Sequence, residues 1–233
     1  MPNYAKTVID IALAEVGYLE KKSNRSLDSK TANAGSANYT KYGRDMHKLY
    51  PSVMDFPASW CDAFVDWCFY KAYGVANAKG LLAGDFNDYT VASAQLYKNK
   101  KAWGTIPKIG AQIFFKNSTR ICHTGLVYDI DNQYVYTVEG NTSGASGIIP
   151  NGGGVCKKKY RLNNSKIAGY GYPKYDEEKK TTTTKKKSNQ TIAKEVVAGK
   201  WGNGAARKKA LTEAGYDYDV IRKLVNELLK KEK

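Results

Sequence analysis

Residues 59–74 read SWCDAFVDWCFYKAYG, and this stretch decides the fold of the larger part of the chain. Cys61, Phe64, Val65, Cys68 and Ala72 recur at helical spacing, and Gly74 offers a stop, so a helix is expected from about Ser59. Upstream, Val8, Ile9, Ile11, Ala12, Leu13 and Val16 form a second apolar stripe that closes at Gly17. Between the two, Lys21 to Tyr42 is rich in Ser, Asn and Thr and predicts a long loop. Downstream, from Gly110, the period changes to two. Strands are expected at Ala111–Phe115, Thr124–Ile130, Tyr134–Glu139, Val155–Tyr160 and Ala168–Tyr172, joined by turns rich in Gly, Asn and Asp. Helices first and strands afterwards predict an α+β fold with an antiparallel sheet.

Residues 176–190, DEEKKTTTTKKKSNQ, contain no aliphatic or aromatic side chain. Such a segment buries nothing to offset its ordering entropy, and a flexible basic linker is expected there. It divides the chain into a domain over 1–175 and a small module over 191–233. In the module, helices are expected at about Ile192–Ala198, Ala205–Ala214 and Tyr218–Lys230, with Val196, Val197, Leu211, Val220, Ile221, Leu224, Val225 and Leu228 as the core of an all-α three-helix bundle.

The 233 residues carry a net charge of +15, with basic residues in excess on both sides of residue 175. A field of that sign favours polyanions: nucleic acid, acidic lipid, or a cell wall bearing teichoic acids. No apolar run is long enough to span a membrane, and the opening MPNYAKTVID lacks a basic segment followed by an apolar one, so no secretory signal is expected. The four cysteines include no Cys-x-x-Cys pair and there are only two histidines. No disulfide scaffold, metal site or cofactor is expected from them.

Ser59 followed by Asp62 resembles a capping box and places Cys61 in a first helical turn. Free backbone N–H groups there favour a thiolate, the nucleophilic form of cysteine; equally, Cys61 could be a small core residue. Cys68, two turns further on, has no such setting. The base candidate is His123, at the start of HTGLVYDI, because His47 lies in the polar stretch DMHKLYP. Cys122, its neighbour, points to the other strand face. An imidazole base needs an acceptor to orient it, and Glu139 and Asn141 end the next strand. His123 can meet them only if paired positions sum to an even number, so that all lie on one face. A three-residue turn at 131–133 does this by pairing His123 with Asn141 and Gly125 with Glu139. An odd-length hairpin loop, or a bulge of equal effect, is therefore expected.

WCDAFVDWCF, CHTGLVYD and VEGNTS, in this order and spacing, resemble the CHAP family of cysteine, histidine-dependent amidohydrolases and peptidases. The resemblance runs from near Glu15 to near Pro173. It implies a papain-like catalytic domain that cleaves an amide bond of peptidoglycan by acyl transfer to Cys61, with His123 moving the proton and either Glu139 or Asn141 holding the ring. The bond would be the N-acetylmuramoyl-L-alanine amide or one within the stem peptide or cross-bridge. Some relatives bind calcium in Asp-rich loops; that pattern is not evident here, and Asp85 to Asp88 reads as a turn.

EVVAGKWGNGAARKKALTEAGYDYDVIRKLVNELL, within the module, resembles the Cpl-seven wall-binding repeat of phage lysins. This implies peptidoglycan as the binding partner. Trp201, Arg207 and Tyr216 are the substrate-binding candidates by chemical type, aromatic faces for sugars and guanidinium for carboxylates, with a place in the mini-core as the alternative for the two aromatics. A DNA-binding bundle fits less well, since the basic residues are scattered over the module. The whole therefore predicts an endolysin, held in the host bacterial cytoplasm until lysis and then acting on the wall. The alternative is a non-catalytic peptidoglycan-binding protein, or, further off, a nucleic-acid-binding one.

Overall fold

The computed structural model of the chain describes residues 3–176 and 187–231. The chain divides into two compact units, Met1–Glu177 and Glu178–Lys233. Most of the expected linker, 176–190, lies outside the described residues. Its last residues are already structured: the Ser188 side chain accepts from Thr191 N and caps a helix that begins at Asn189.

In the first unit four helices precede a sheet: α1 (Ala5–Ala14), α2 (Lys41–Leu49), α3 (Cys61–Leu81) and α4 (Thr90–Asn99), then β1 (Trp103–Gly104), β2 (Gln112–Lys116), β3 (Ile121–Ile130), β4 (Tyr134–Thr142), β5 (Gly154–Arg161) and β6 (Ile167–Gly171). The six strands form one antiparallel sheet in the order β1-β6-β2-β3-β4-β5. Gly74, with φ at 72°, breaks α3 where a stop was expected, but helix resumes beyond it to Leu81. The helices α2 and α4 escape a reading by apolar periodicity because each buries only three or four residues, several of them polar or small.

Alternation along the strands sends side chains to two separate cores. Phe114, Leu126, Val138 and Val155 join the helix side, where Val8, Ala12, Trp60, Phe64 and Phe69 are buried. Ile113, Phe115, Val127, Val135, Tyr160 and Tyr170 form a second cluster on the opposite face. Side chains are buried on both faces, so Gln112 to Phe115 of β2 are buried in succession rather than alternately. Each fully buried phenylalanine contributes about 2 kcal/mol relative to exposure.

The second unit consists of α5 (Asn189–Val197), α6 (Gly204–Glu213) and α7 (Tyr218–Lys231). Ile192, Ala193, Val196, Leu211, Tyr216, Ile221 and Val225 make its core. For the two aromatic candidates this is the mini-core alternative, met fully by Tyr216 and in part by Trp201. Tyr216 is only 8% exposed and packs edge-on against Trp201, which lies half-buried on the same cluster and donates from Nε1 to Glu195. A core this small recruits its largest rings, since nothing else supplies comparable apolar area. Val197 and Val220, expected in the core, are exposed. No described helix is long and apolar enough to cross a membrane.

Candidate active site

Cys61 is the first residue of α3, in the turn whose backbone N–H groups have no partner within the helix. The expected cap does not form. The cap position is Trp60, and no side chain bonds the helix start. Asp62 instead turns inward, where Ser93 Oγ donates to it at 2.5 Å and Gln112 Nε2 at 3.1 Å. Burial pushes the Asp62 carboxyl up to about 7, against the lowering effect of those two donors. Trp60 anchors the helix start from outside the first turn. It is fully buried, stacks on Tyr42 and donates from Nε1 to Glu20 at 2.8 Å.

His123 lies on β3, fully buried, with its ring stacked on Phe115 and Nε2 bonded to Glu139 Oε2 at 2.9 Å. The register explains how they meet. Near the turn, Ile130 pairs with Val135 and Asp131 N bonds Tyr134 O, which leaves the two-residue loop Asn132-Gln133. Unmodified, that even loop would put His123 and Glu139 on opposite faces. A bulge between Val127 and Asp129 shifts the pairing to Leu126 opposite Val138, which carries Gly125 opposite Glu139. The bulge, rather than an odd loop, therefore delivers the expected pairing. Gly125 has a reason of its own: a Cβ there would lie 2.4 Å from Glu139 Cγ. Glu139 also accepts from Tyr160 Oη at 3.1 Å and from Thr137 Oγ1, so its carboxylate is fully engaged.

With Nε2 held by Glu139, Nδ1 is the nitrogen left for Cys61. Nδ1 has no formed hydrogen bond, yet the thiol is near enough to act on the ring's titration. Burial pulls the imidazole down, and the Cys61 and Glu139 interactions outweigh it, raising the pKa to about 10. The arrangement favours an imidazolium at neutral pH.

Of the two acceptor candidates, only Glu139 reaches the ring. Asn141 is fully buried with φ at 54°, and its side-chain atoms find no partner among the described residues. The β4–β5 pairing slips between Glu139 and Thr142, and this second bulge breaks the alternation that would have set Asn141 beside Glu139. Gly140, between them, lets α3 approach: a Cβ there would lie 2.6 Å from Phe64 Cβ and 2.9 Å from the Trp60 ring. Cys68 is buried in the helix-side core, where burial drives its thiol far up. Among the described residues no three His, Cys, Asp or Glu side chains gather in a way that could hold a metal ion.

Comparison with known families bears on this geometry. The family model described as CHAP domain matches residues 53–141, the span that holds Cys61, His123, Glu139 and Asn141. The chain carries a CHAP domain. A second model, CW_7 repeat, a cell-wall-binding repeat, matches residues 190–229 in the second unit and spans Trp201, Arg207 and Tyr216. No curated protein matches the chain. One solved structure, the crystal structure of Ly7917, aligns at 13% identity with a TM-score of 0.42, over 72% of this chain; the chain spans 62% of that one. The CHAP domain is papain-like and α+β, which agrees with the four helices and antiparallel sheet described above.

Sequence reading placed Gly125 opposite Glu139 without its reason for being glycine, and missed the other supports of the CHAP site: Gly140, Tyr160, Ser93 and Gln112. The two glycines had left a signal, since a glycine inside a strand pattern marks a close approach. The three polar residues had not, because their partners come from other elements.

Proposed function

We propose that the chain is a peptidoglycan hydrolase: the first unit cleaves an amide bond of the bacterial wall through Cys61, and the second docks the enzyme on that wall. The observation that carries the catalytic part is the buried His123, fixed through Nε2 by Glu139 and raised to about 10 beside the thiol at the start of α3. The pairing of a CHAP domain with a cell-wall-binding repeat supports the substrate.

In this reading the Cys61 thiolate attacks the amide carbon, and the carbonyl oxygen takes up the negative charge. The backbone N–H of Cys61 stabilises that charge. His123 then gives its Nδ1 proton to the departing amine, leaving an acyl-enzyme. Water, deprotonated by the now neutral ring, attacks the thioester; the acid leaves and the thiolate–imidazolium pair is restored. Glu139 holds the ring and balances its charge throughout. The bond is either the N-acetylmuramoyl-L-alanine amide or one in the stem peptide or cross-bridge, and the setting is that of an endolysin.

In the second unit, Arg207 replaces the aromatic rings as the leading wall contact. It is braced by bonds to Gly202 O at 2.8 Å and Asn203 Oδ1 at 2.6 Å. With Arg222 and Tyr218 it lines a small pocket of about 60 Å³, suited to a carboxylate of the stem peptide. Digestion of purified sacculi followed by mass spectrometry of the fragments tests the whole reading. New amino termini or free muramoyl ends identify the bond. Binding to sacculi without any bond cleaved would overturn the catalytic part.

A further inference from the structure

Gln112 on β2 is completely buried, and its Nε2 donates to two acceptors, Asp62 Oδ1 and Thr124 Oγ1, each at 3.1 Å. Asp62 follows Cys61 in the chain and Thr124 follows His123. One amide therefore joins the neighbour of the thiol to the neighbour of the imidazole. Both anchors are themselves fixed: Ser93 Oγ donates to the second oxygen of Asp62 at 2.5 Å, and the Thr124 hydroxyl donates to Ile113 O at 2.7 Å. Because the Thr124 hydrogen is committed to Ile113, its oxygen accepts from Gln112, which settles the orientation of the amide.

As a stabilising residue Gln112 is a poor choice. Its Oε1 is buried without a partner among the described residues, so the amide is not fully satisfied even with its two donations. Its worth lies in geometry. The thiol rides on a helix and the imidazole on a strand, and a reactive pair from separate elements must be held within a fraction of an ångström.

We propose that Gln112 is a positioning residue whose bridge between Asp62 and Thr124 sets the spacing of Cys61 and His123. The inference rests on the reading of those two as the reactive pair, so its test does not depend on wall cleavage. The full chain is alkylated with iodoacetamide across pH 5–9, and peptide mass mapping follows Cys61 apart from the other three cysteines. Wild-type Cys61 is expected to react faster than the other three cysteines across this range. In Gln112→Leu the Cys61 rate at pH 6 should fall at least tenfold, toward that of the other cysteines. Its melt should shift down by a few degrees at most, because Asp62 Oδ1 loses its donor, while kcat on sacculi should fall at least tenfold with KM within twofold. Thr124→Val, which removes one leg of the bridge at constant volume, should move the profile the same way and decides the matter if Gln112→Leu fails to fold. A folded variant of either kind with alkylation and kcat within twofold of wild type would overturn the proposal. Altered alkylation in a chain that cleaves no sacculi would leave the bridge standing and sink the hydrolase reading instead.

Discussion

The two units use burial in opposite ways. In the first, groups that ordinarily seek water are withdrawn from it: His123, Glu139 and Asp62 are each at most 1% exposed. Such burial is unfavourable unless every charge finds a partner, so each carries specific bonds and the result is chemically biased, as the raised imidazole shows. In the second unit, rings that could have faced a ligand are withdrawn instead, Tyr216 almost wholly and Trp201 in part. Burying a ring is favourable in itself, and it makes a core. Buried polar groups thus mark the site in one unit, and buried aromatics build the core in the other.

The harshest way to break this contrast is to remove the reactive pair. Cys61→Ala and His123→Ala should each lower clearance of a sacculus suspension by about 1,000-fold or more while leaving sacculus pull-down intact. Clearance by both variants at the wild-type rate would show that the buried cluster is only scaffolding.

Glu139→Gln sharpens the point, since it keeps the shape and removes the charge. The alkaline limb of the pH–rate profile should move down from about 10 toward 6.5, and kcat should fall about 100-fold. The sign for stability follows. His123 titrates higher folded than unfolded, so its contribution is complete below about 6.5 and is lost as the pH climbs through about 10. Denaturant melts at pH 6 and pH 10 should therefore differ more in wild type than in Glu139→Gln.

Packing variants come next. Gly140→Ala forces a methyl against Phe64 and should destabilise the first unit by about 2 kcal/mol, read as a shifted melt together with slower turnover. Tyr216→Ala should destabilise the second unit by a similar amount, about 2 kcal/mol, because it empties part of a small core. The smallest effect belongs to Arg207→Ala, expected to weaken sacculus binding about tenfold with the second-unit melt unchanged. If Tyr216→Ala melted normally but lost binding, the contrast between the units would fail.

Much of this was legible in the residues. The five main strands sit where the period-two pattern put them, and the start of α3 falls at Cys61. Ordered motifs named His123 and Glu139 because chemistry restricts which side chains can serve. Other features were not legible. The capping box at Ser59 failed because Asp62 had stronger partners on α4 and β2, elements that local pattern does not bring near. Asn141 could not be told from Glu139, because a bulge adds one residue to a strand and reverses every face beyond it.

By itself, then, the sequence determined the elements, the two-part organisation and the cast of reactive residues, since periodicity and side-chain chemistry are local properties. Tertiary structure alone decided which acceptor holds the imidazole, how the bulge at Tyr128 rescues an even hairpin loop, and which aromatic rings the second unit hides. Those outcomes depend on register and on competition for burial between residues far apart in the chain, and both are settled only when the surfaces meet.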